Sequence, residues 1–172
     1  MNDKSAIKGH VTVELRRPDP KTGEVKVVEK RDINNLVTQY GDQFYGERAN
    51  GIGSHDPVSG MKLGTGTTAA AKTGAGAAIV TYVTASQMAL NATYPQSSLE
   101  GSARRITFQS TWDPGEATES AIAEAIVTNQ TALANNAGTA ADTLARVVFS
   151  PVINKQAGDT LTITWHHDLL GA

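Results

Sequence analysis

Short segments in which apolar and polar side chains alternate constrain the fold of this chain most. In the first, Val11, Val13 and Leu15 alternate with polar residues, and four further segments repeat the pattern. They span residues 105–112, 121–128, 144–152 and 160–165. A period of two places the apolar side chains on one face of an extended chain, so each segment is predicted to be a half-buried β-strand. With shorter extended stretches between them, the pattern predicts a mainly β fold, a β-sandwich or jelly roll of about seven or eight strands.

Length and composition agree with one all-β domain. The chain has 172 residues, a length that suits a single domain spanning residues 1–172. Its 16 glycines and 6 prolines interrupt helical patterns, since glycine costs about 1 kcal/mol relative to alanine inside a helix. The chain has no cysteine, which excludes disulfide bonds, zinc sites built on thiolates and a cysteine nucleophile.

The N-terminal part predicts a β-hairpin followed by one helix. Residues 18–23 are rich in turn formers and lie between two extended stretches, so residues 7–31 are predicted to form the hairpin. A helix is predicted at about residues 35–48, with Asn34 or Asn35 as its cap. Its apolar side chains recur at helical spacing and are expected to face the core: Leu36, Val37, Tyr40, Phe44 and Tyr45.

Two long loops of small residues are predicted at about residues 64–78 and 131–142. They are rich in alanine, glycine and threonine and show no periodicity, so they cannot bury enough surface to fix a conformation by themselves. We expect both loops to be exposed, and either mobile or ordered by a partner. Residues 79–90 fit a strand or a helix, and the sequence leaves both open.

The first of these loops contains two patterns that resemble phosphate-binding motifs. Residues 64–69 match the dinucleotide pattern G-x-G-x-x-A, and residues 66–73 differ by one residue from a P-loop, with Ala71 in place of the glycine before Lys72. Both motifs need a strand that delivers the loop into the N-terminus of a helix. Gly74 and Gly76 disfavour such a helix, so we predict a flexible connection with no bound nucleotide or other cofactor.

Histidines beside carboxylates suggest a metal site, but their spacing argues against one. Neighbouring residues on a strand point to opposite faces, so His166 and His167 cannot both reach one ion while the strand continues. No third ligand follows the other histidines at an informative spacing, and we predict no bound metal. The residues considered are His10, His55, Asp56, His166, His167 and Asp168.

Candidate acid–base residues are scattered along the second half of the chain. Glu124 lies between Ile122 and Ile126 in a strand pattern, so it is predicted to be partly buried and paired with an arginine. Contiguous serine, histidine and aspartate at residues 53–56 seldom form a catalytic triad. We predict no catalytic, cofactor-binding or metal-binding residues and no enzymatic activity. The remaining carboxylates and the available arginines are Asp113, Glu116, Glu119, Arg104, Arg105 and Arg146.

The charge and hydropathy of the chain argue against two classes of partner. A net charge of −2 gives no general electrostatic attraction to nucleic acid or to an anionic membrane surface. No apolar run approaches the roughly 20 residues that a membrane-spanning helix needs. Residues 1–5 lack the apolar segment of a signal peptide, so we expect the chain to fold in the cytoplasm of the cell that makes it.

Six features occur in a recognisable order along the chain. They are the hairpin at residues 7–31, Asn35-Leu36-Val37-Thr38 before the helix, Met61-Lys62-Leu63-Gly64-Thr65-Gly66-Thr67-Thr68, Ala123-Glu124-Ala125, Leu144-Ala145-Arg146-Val147-Val148-Phe149 and Gly158-Asp159-Thr160-Leu161-Thr162-Ile163-Thr164-Trp165. In this order they resemble a diverse group of small tailed-bacteriophage virion proteins, often described as tail, fibre or structural proteins. The resemblance spans nearly the whole chain.

The resemblance implies a β-rich, multimeric structural subunit of the virion without enzymatic activity. Because the chain lacks the long shaft of a full fibre, it favours a capsid decoration (cement) protein that stabilises the head by protein–protein contacts. The alternatives are a tail, collar or baseplate-associated subunit, or a carbohydrate-binding adsorption module with Tyr94, Trp112 and Trp165 as stacking platforms. Expected partners are copies of itself, with a trimer favoured, and the major capsid protein or tail subunits, without nucleic acid or membrane.

Overall fold

The computed structural model describes residues 7–169 and contains nine β-strands and one α-helix. The strands β1–β9 are Ile7–Pro18, Val25–Val37, Gly60–Gly64, Met88–Ala89, Gln96–Glu100, Ala103–Trp112, Glu119–Thr128, Thr143–Lys155 and Thr160–Leu169. The helix α1 is Gln39–Asn50, and single 3-10 turns occur at Gly74–Ala77 and Thr131–Leu133. The predicted mainly β fold with one α-helix is therefore confirmed, and the five alternating segments all lie in strands.

The nine strands form one antiparallel sheet in the order β4-β3-β7-β8-β2-β1-β9-β6-β5. This sheet curves into a half-barrel, whereas the sequence predicted seven or eight strands in a sandwich or jelly roll. The strands that the pattern did not predict, β4 and β5, have only two and five residues. Neither alternates apolar with polar side chains, so the pattern that revealed the longer strands could not reveal these.

The half-barrel has a corner where β2 meets β8. Only Leu36 and Val37 of β2 pair with β8, opposite Arg146 and Ala145. The apolar core lies between the two parts of the sheet that this corner joins. One part contributes Val11, Val13, Leu15, Phe108, Trp112, Leu161, Ile163 and Trp165, and the other contributes Met61, Leu63, Ile122, Ala125, Val127, Leu144, Val147, Phe149 and Ile153.

The boundary between the hairpin and the helix differs from the prediction. The strand β2 continues to Val37, so Leu36 and Val37 are strand residues and neither Asn34 nor Asn35 caps the helix. Thr38 is the cap instead: its hydroxyl accepts a hydrogen bond from Gly41 N and donates one to the Thr143 carbonyl at 2.5 Å. The pairing with β8 decides the boundary, because it supplies backbone hydrogen bonds that a longer helix would forgo.

The aromatic stripe of the helix faces the core, as predicted. Phe44 is buried, and Tyr40 and Tyr45 are partly buried against the apolar cluster. Residues 79–90, for which strand and helix were both open, are neither for most of their length. They contain a single bridge between Tyr82 and Gly64 and the two residues of β4.

Candidate functional site

A buried ion pair lies at the centre of the sheet that contains β7 and β8. Glu124 and Arg146 have no exposed surface, and Arg146 Nε and Nη2 donate hydrogen bonds of 2.9 and 2.6 Å to Glu124 Oε2. The predicted pairing of Glu124 with an arginine is confirmed, with Arg146 as the partner. Such a bidentate contact fixes both side chains and compensates the desolvation of each charge.

The glycine-rich loop closes over this ion pair. Glu124 Oε1 accepts hydrogen bonds from the backbone N–H groups of Gly66, Val80 and Thr81 at 2.9, 3.0 and 2.9 Å. Arg146 Nη1 adds a 3.3 Å hydrogen bond to the Gly76 carbonyl. Residues 67–69 and 72–75 are exposed, as expected, but the loop is anchored within the chain and not by a partner, because a carboxylate beneath it accepts its amide hydrogens.

The same geometry argues against phosphate binding by the loop. The amide of Gly66 already donates to a carboxylate, which would repel a phosphate. The residues that follow the two motifs within the loop form a four-residue 3-10 turn at Gly74–Ala77, and Gly74 has φ +72°. No helix N-terminus follows the glycines, so the physical requirement of both nucleotide motifs is missing here.

A second buried charge holds the second small-residue loop. Lys62 is fully buried in β3, and its Nζ contacts Gln130 Oε1, the carbonyls of Ala134 and Asn136 at 2.9 Å each, and Asn136 Oδ1 at 3.2 Å. Burial lowers the pKa of Lys62 below its usual value. This contact was not predicted from the sequence, although Lys62 lies between the apolar residues Met61 and Leu63, with a glycine on either side.

His166 and His167 point to opposite faces of β9, as the spacing predicted. His167 is fully buried on the inner face, where Tyr45 Oη lies 2.7 Å from its Nδ1, and burial lowers its pKa to about 3. His166 lies on the outer face, where it stacks on His10 with ring centroids 4.4 Å apart. Burial, with His10 and Arg105 contributing, lowers the pKa of His166 to about 4.

Asp168 pairs with an arginine instead of joining a metal site. Arg105 Nε and Nη2 donate hydrogen bonds of 2.7 and 2.9 Å to its two carboxylate oxygens, and this contact lowers the pKa of Asp168. Among residues 7–169, no cluster of three or more histidine, aspartate or glutamate side chains has the arrangement of a metal site.

His55 connects α1 to the loop that follows it. Its Nε2 contacts Glu47 Oε2, and its Nδ1 lies 3.3 Å from Tyr40 Oη. The contact with His55 lowers the pKa of Glu47. The neighbouring Asp56 accepts a hydrogen bond from Thr131. His55 and Asp56 therefore connect the loop at residues 53–56 to α1 and to the loop that contains Thr131. The structure joins His55 to Glu47 and Tyr40, and not to the adjacent serine and aspartate as a contiguous triad would require.

The other predicted carboxylates make local contacts at the surface. Glu116 Oε2 accepts a 2.8 Å hydrogen bond from Asp113 N, and Glu119 Oε1 accepts one of 3.1 Å from Ala121 N. Neither contact places a second carboxylate beside Glu124. The pairs that general acid–base chemistry uses are therefore not assembled from these residues.

Both tryptophans are core residues. Trp112 and Trp165 have 0% exposed surface, and Trp112 Nε1 donates a 2.8 Å hydrogen bond to the Ser86 carbonyl. Stacking against a sugar needs an exposed aromatic face, so Trp112 and Trp165 cannot be the stacking platforms of the carbohydrate-binding alternative. Only Tyr94 of the three proposed platforms retains partial exposure.

An apolar groove of about 950 Å³ lies between α1 and the ends of β6 and β9. Phe44, Tyr45 and Phe108 line it, while Arg48 and Lys72 contribute charge to its wall. Lys72 is paired with Asp42 at 2.6 Å. The groove offers apolar contact area, but its wall does not combine a nucleophile with an oriented base.

The outer part of the hairpin exposes apolar side chains beside a free strand edge. In β2, Val25, Val27 and Val28 are exposed, and residues 25–35 have no strand partner on the side away from β1 within the described residues. Such an edge presents unpaired backbone N–H and C=O groups. An exposed edge with apolar side chains is typical of a strand that contacts another chain.

Comparisons with protein-family models, with curated proteins and with solved structures found no match for this chain. Within residues 7–169, no helix is long and apolar enough to cross a membrane.

Proposed function

We propose that the chain is a non-enzymatic structural protein of a tailed-bacteriophage particle, most simply a capsid decoration (cement) protein. Its half-barrel would stabilise the head through contacts with copies of itself and with the major capsid protein. The alternative is a tail, collar or baseplate-associated subunit. A structural role requires a stable fold and a surface that binds other subunits, and it does not require a catalytic pocket.

One observation carries the proposal: four of the six motifs that resemble virion proteins meet in space around Glu124. The motif at residues 61–68 pairs with β7, where Leu63 lies opposite Ala125. Leu36 lies opposite Arg146, which donates to Glu124. The segments that carry the resemblance are thus parts of one packed centre of the fold, as a shared architecture would require.

The polar side chains that contact other parts of the same chain also favour a structural role. Glu124 holds a loop, Lys62 holds a second loop, and His55 connects a loop to α1. Groups that catalyse proton transfer must be able to reach a substrate. Polar groups whose hydrogen-bonding positions are occupied by the protein's own backbone instead stabilise its shape.

The proposal is tested by locating the chain in assembled particles. Particles from cells that produce the chain are purified by gradient centrifugation, labelled with antibody against the chain and imaged by electron microscopy. Label distributed over the head supports the cement role, and label at one vertex supports the tail-associated alternative. A chain that remains in the soluble fraction and leaves particles unlabelled would overturn both.

A further inference from the structure

The free edge of β2 carries an unusual concentration of apolar surface. Seven large apolar side chains are exposed in residues 7–169, and three of them, Val25, Val27 and Val28, lie within four consecutive positions of β2 with 58%, 50% and 50% exposure. The two strands at the ends of the sheet expose less apolar surface. The strand β4 has only two residues, and Leu99 is the one large apolar side chain that β5 exposes. We call residues 25–35 the β2 edge.

A β-bulge changes which residues of the β2 edge share a face. In the pairing with β1, Leu15 lies opposite Glu29 but Arg16 lies opposite Val27, so Val28 is an extra residue. Leu15 is buried, which places Glu29 on the inner face. Because the bulge interrupts the alternation, Lys26 is on the inner face as well, opposite Arg17.

The charges on the inner face are ordered along the strand. Lys26 contacts Glu24 at 3.0 Å, and Arg31 contacts Glu29 and also donates to the Pro151 and Val152 carbonyls of β8. Glu24, which immediately precedes β2, and Lys26, Glu29 and Arg31 of the β2 edge therefore alternate in sign as negative, positive, negative, positive. Two antiparallel copies can therefore set a positive residue against a negative residue at all four positions, but only in one register.

Symmetry restricts how two such edges can pair. A twofold axis perpendicular to the sheet keeps each residue on its own face, so residues that face each other must share a face. Two registers that place the twofold axis beside the bulge residue Val28 meet this condition. One sets Lys26 against Arg31 of the second copy, and the other sets Lys26 against Glu29 and Glu24 against Arg31. Opposite charges across a strand pair stabilise it and like charges destabilise it, which selects the second register.

We propose that the β2 edge binds the β2 edge of a second copy of this chain. The strands run antiparallel, with Val27 of one copy opposite Val28 of the other and Lys26 opposite Glu29. This contact deepens the proposed function and rests on it for its setting, because it names the surface through which copies of the subunit would adhere. A twofold contact gives a dimer, in place of the trimer that the resemblance favoured.

The absence of cysteine from the chain allows the register to be tested directly. The Lys26→Cys/Glu29→Cys variant places two thiols opposite each other across the twofold axis, so mild oxidation should give a covalent dimer on a non-reducing gel. The Lys26→Cys/Asp32→Cys variant is the matched control. Its two thiols would be offset by three residues, about 10 Å, which exceeds the reach of a disulfide. We expect at least a tenfold difference in crosslinked fraction between the two variants.

Reversing one charge provides a second test that needs no cysteine and no crosslink. Sedimentation of the wild-type chain should show a dimer, and Lys26→Glu should weaken dimerisation by about 2- to 30-fold because the pair occurs twice. Lys26→Glu/Glu29→Lys should restore it. A chain that sediments as a monomer or a trimer, or crosslinking that is equal in the two cysteine variants, would overturn the inference.

The crosslink also separates this inference from the proposed function. Particles that carry the chain but give no 26–29 crosslink would overturn the edge pairing and leave the virion role standing. A crosslinked dimer from a chain that is missing from particles would support the edge pairing and overturn the virion role.

Discussion

Arg146 donates two hydrogen bonds, at 2.9 and 2.6 Å, to one oxygen of Glu124, and neither side chain has exposed surface. The second carboxylate oxygen accepts the amide hydrogens of the loop that closes over the pair. Glu124 is thus the common partner of an arginine on β8 and of residues from both ends of a long loop. The loop is ordered from within because its backbone satisfies a charge that the core would otherwise leave uncompensated.

Removing the charge of Glu124 should be strongly destabilising. In Glu124→Gln, Arg146 stays buried without a counter-charge and the amide side chain accepts fewer hydrogen bonds from the loop. We expect the free energy of unfolding to fall by about 3–5 kcal/mol in urea denaturation. Glu14→Gln, which disrupts the more exposed contact with Arg16, should change it by less than about 1 kcal/mol.

A double substitution separates the loss of a partner from the loss of the charges. Glu124→Gln/Arg146→Met removes both charges, so it should recover part of the stability that Glu124→Gln loses. Equal stability of the single and double variants would contradict the view that the unpaired arginine is the main cost.

The glycine at position 66 should be required by the same contact. A Cβ added at Gly66 would lie 2.5 Å from Glu124 Oε1 and 2.7 Å from Val80 Cβ. Gly66→Ala should therefore destabilise the fold by about 1–3 kcal/mol in urea denaturation. Gly46, inside α1, has open space where a Cβ would stand, and Gly46→Ala should stabilise the protein by about 0.5–1 kcal/mol. Destabilisation by both substitutions would contradict this account of the glycine-rich loop.

The strands and the buried carboxylate could be predicted because both leave a periodic signal. Glu124 occurs at an inward-facing position between Ile122 and Ile126, and a charge at such a position needs a partner. The identity of that partner and the attachment of the loop depend on contacts between distant residues, such as Gly66 with Glu124, which are 58 positions apart. Local patterns carry no information about such contacts, and the loop was therefore expected to be exposed.

The start of the helix was mispredicted for a related reason. Leu36 and Val37 fit the helical stripe and also fit an extended strand, so the local sequence supports both. The structure pairs them with Ala145 and Arg146, more than a hundred positions away, and that pairing selects the strand. Thr38 then caps the helix, a role for which threonine is well suited but which the asparagines before it could equally have filled.

Lys62 should order the second loop without dominating the stability of the whole protein. Lys62→Met keeps the length of the side chain but removes the donor to Gln130, Ala134 and Asn136. We expect backbone amides in residues 130–137 to lose protection in hydrogen exchange, while the free energy of unfolding changes by no more than about 2 kcal/mol. Lys72→Met is the control, since Lys72 contacts only the exposed Asp42. Unchanged exchange in the loop of Lys62→Met would refute the anchoring role.

The burial of both tryptophans predicts their fluorescence. With Trp112 and Trp165 fully buried, acrylamide should quench the emission of the native protein weakly and that of the urea-unfolded protein strongly. Trp112→Phe should lose stability through the space it leaves and through the unpaired Ser86 carbonyl. Efficient quenching of the native protein would place at least one ring at the surface and would reopen the carbohydrate-binding alternative.

The buried histidine should make the fold sensitive to acid. The pKa of His167 is lowered to about 3 in the folded state, chiefly by burial, while an unfolded chain has the usual value of about 6.5. Between these values the unfolded state binds more protons, so stability falls as the pH falls through that window, by about 3 kcal/mol at pH 4 from this residue.

Urea denaturation at pH 7, 5 and 4 measures this contribution as a difference between variants. In His167→Phe the group that titrates is gone, so its stability should depend less steeply on pH than that of the wild type, even though Tyr45 loses its partner and the stability at pH 7 is lower. His166→Gln should flatten the dependence less, because His166 lies on the outer face, where solvent screens the charge. Parallel profiles for the wild type and His167→Phe would show that His167 is protonated at little cost, which is incompatible with its burial between Tyr45 and Phe108.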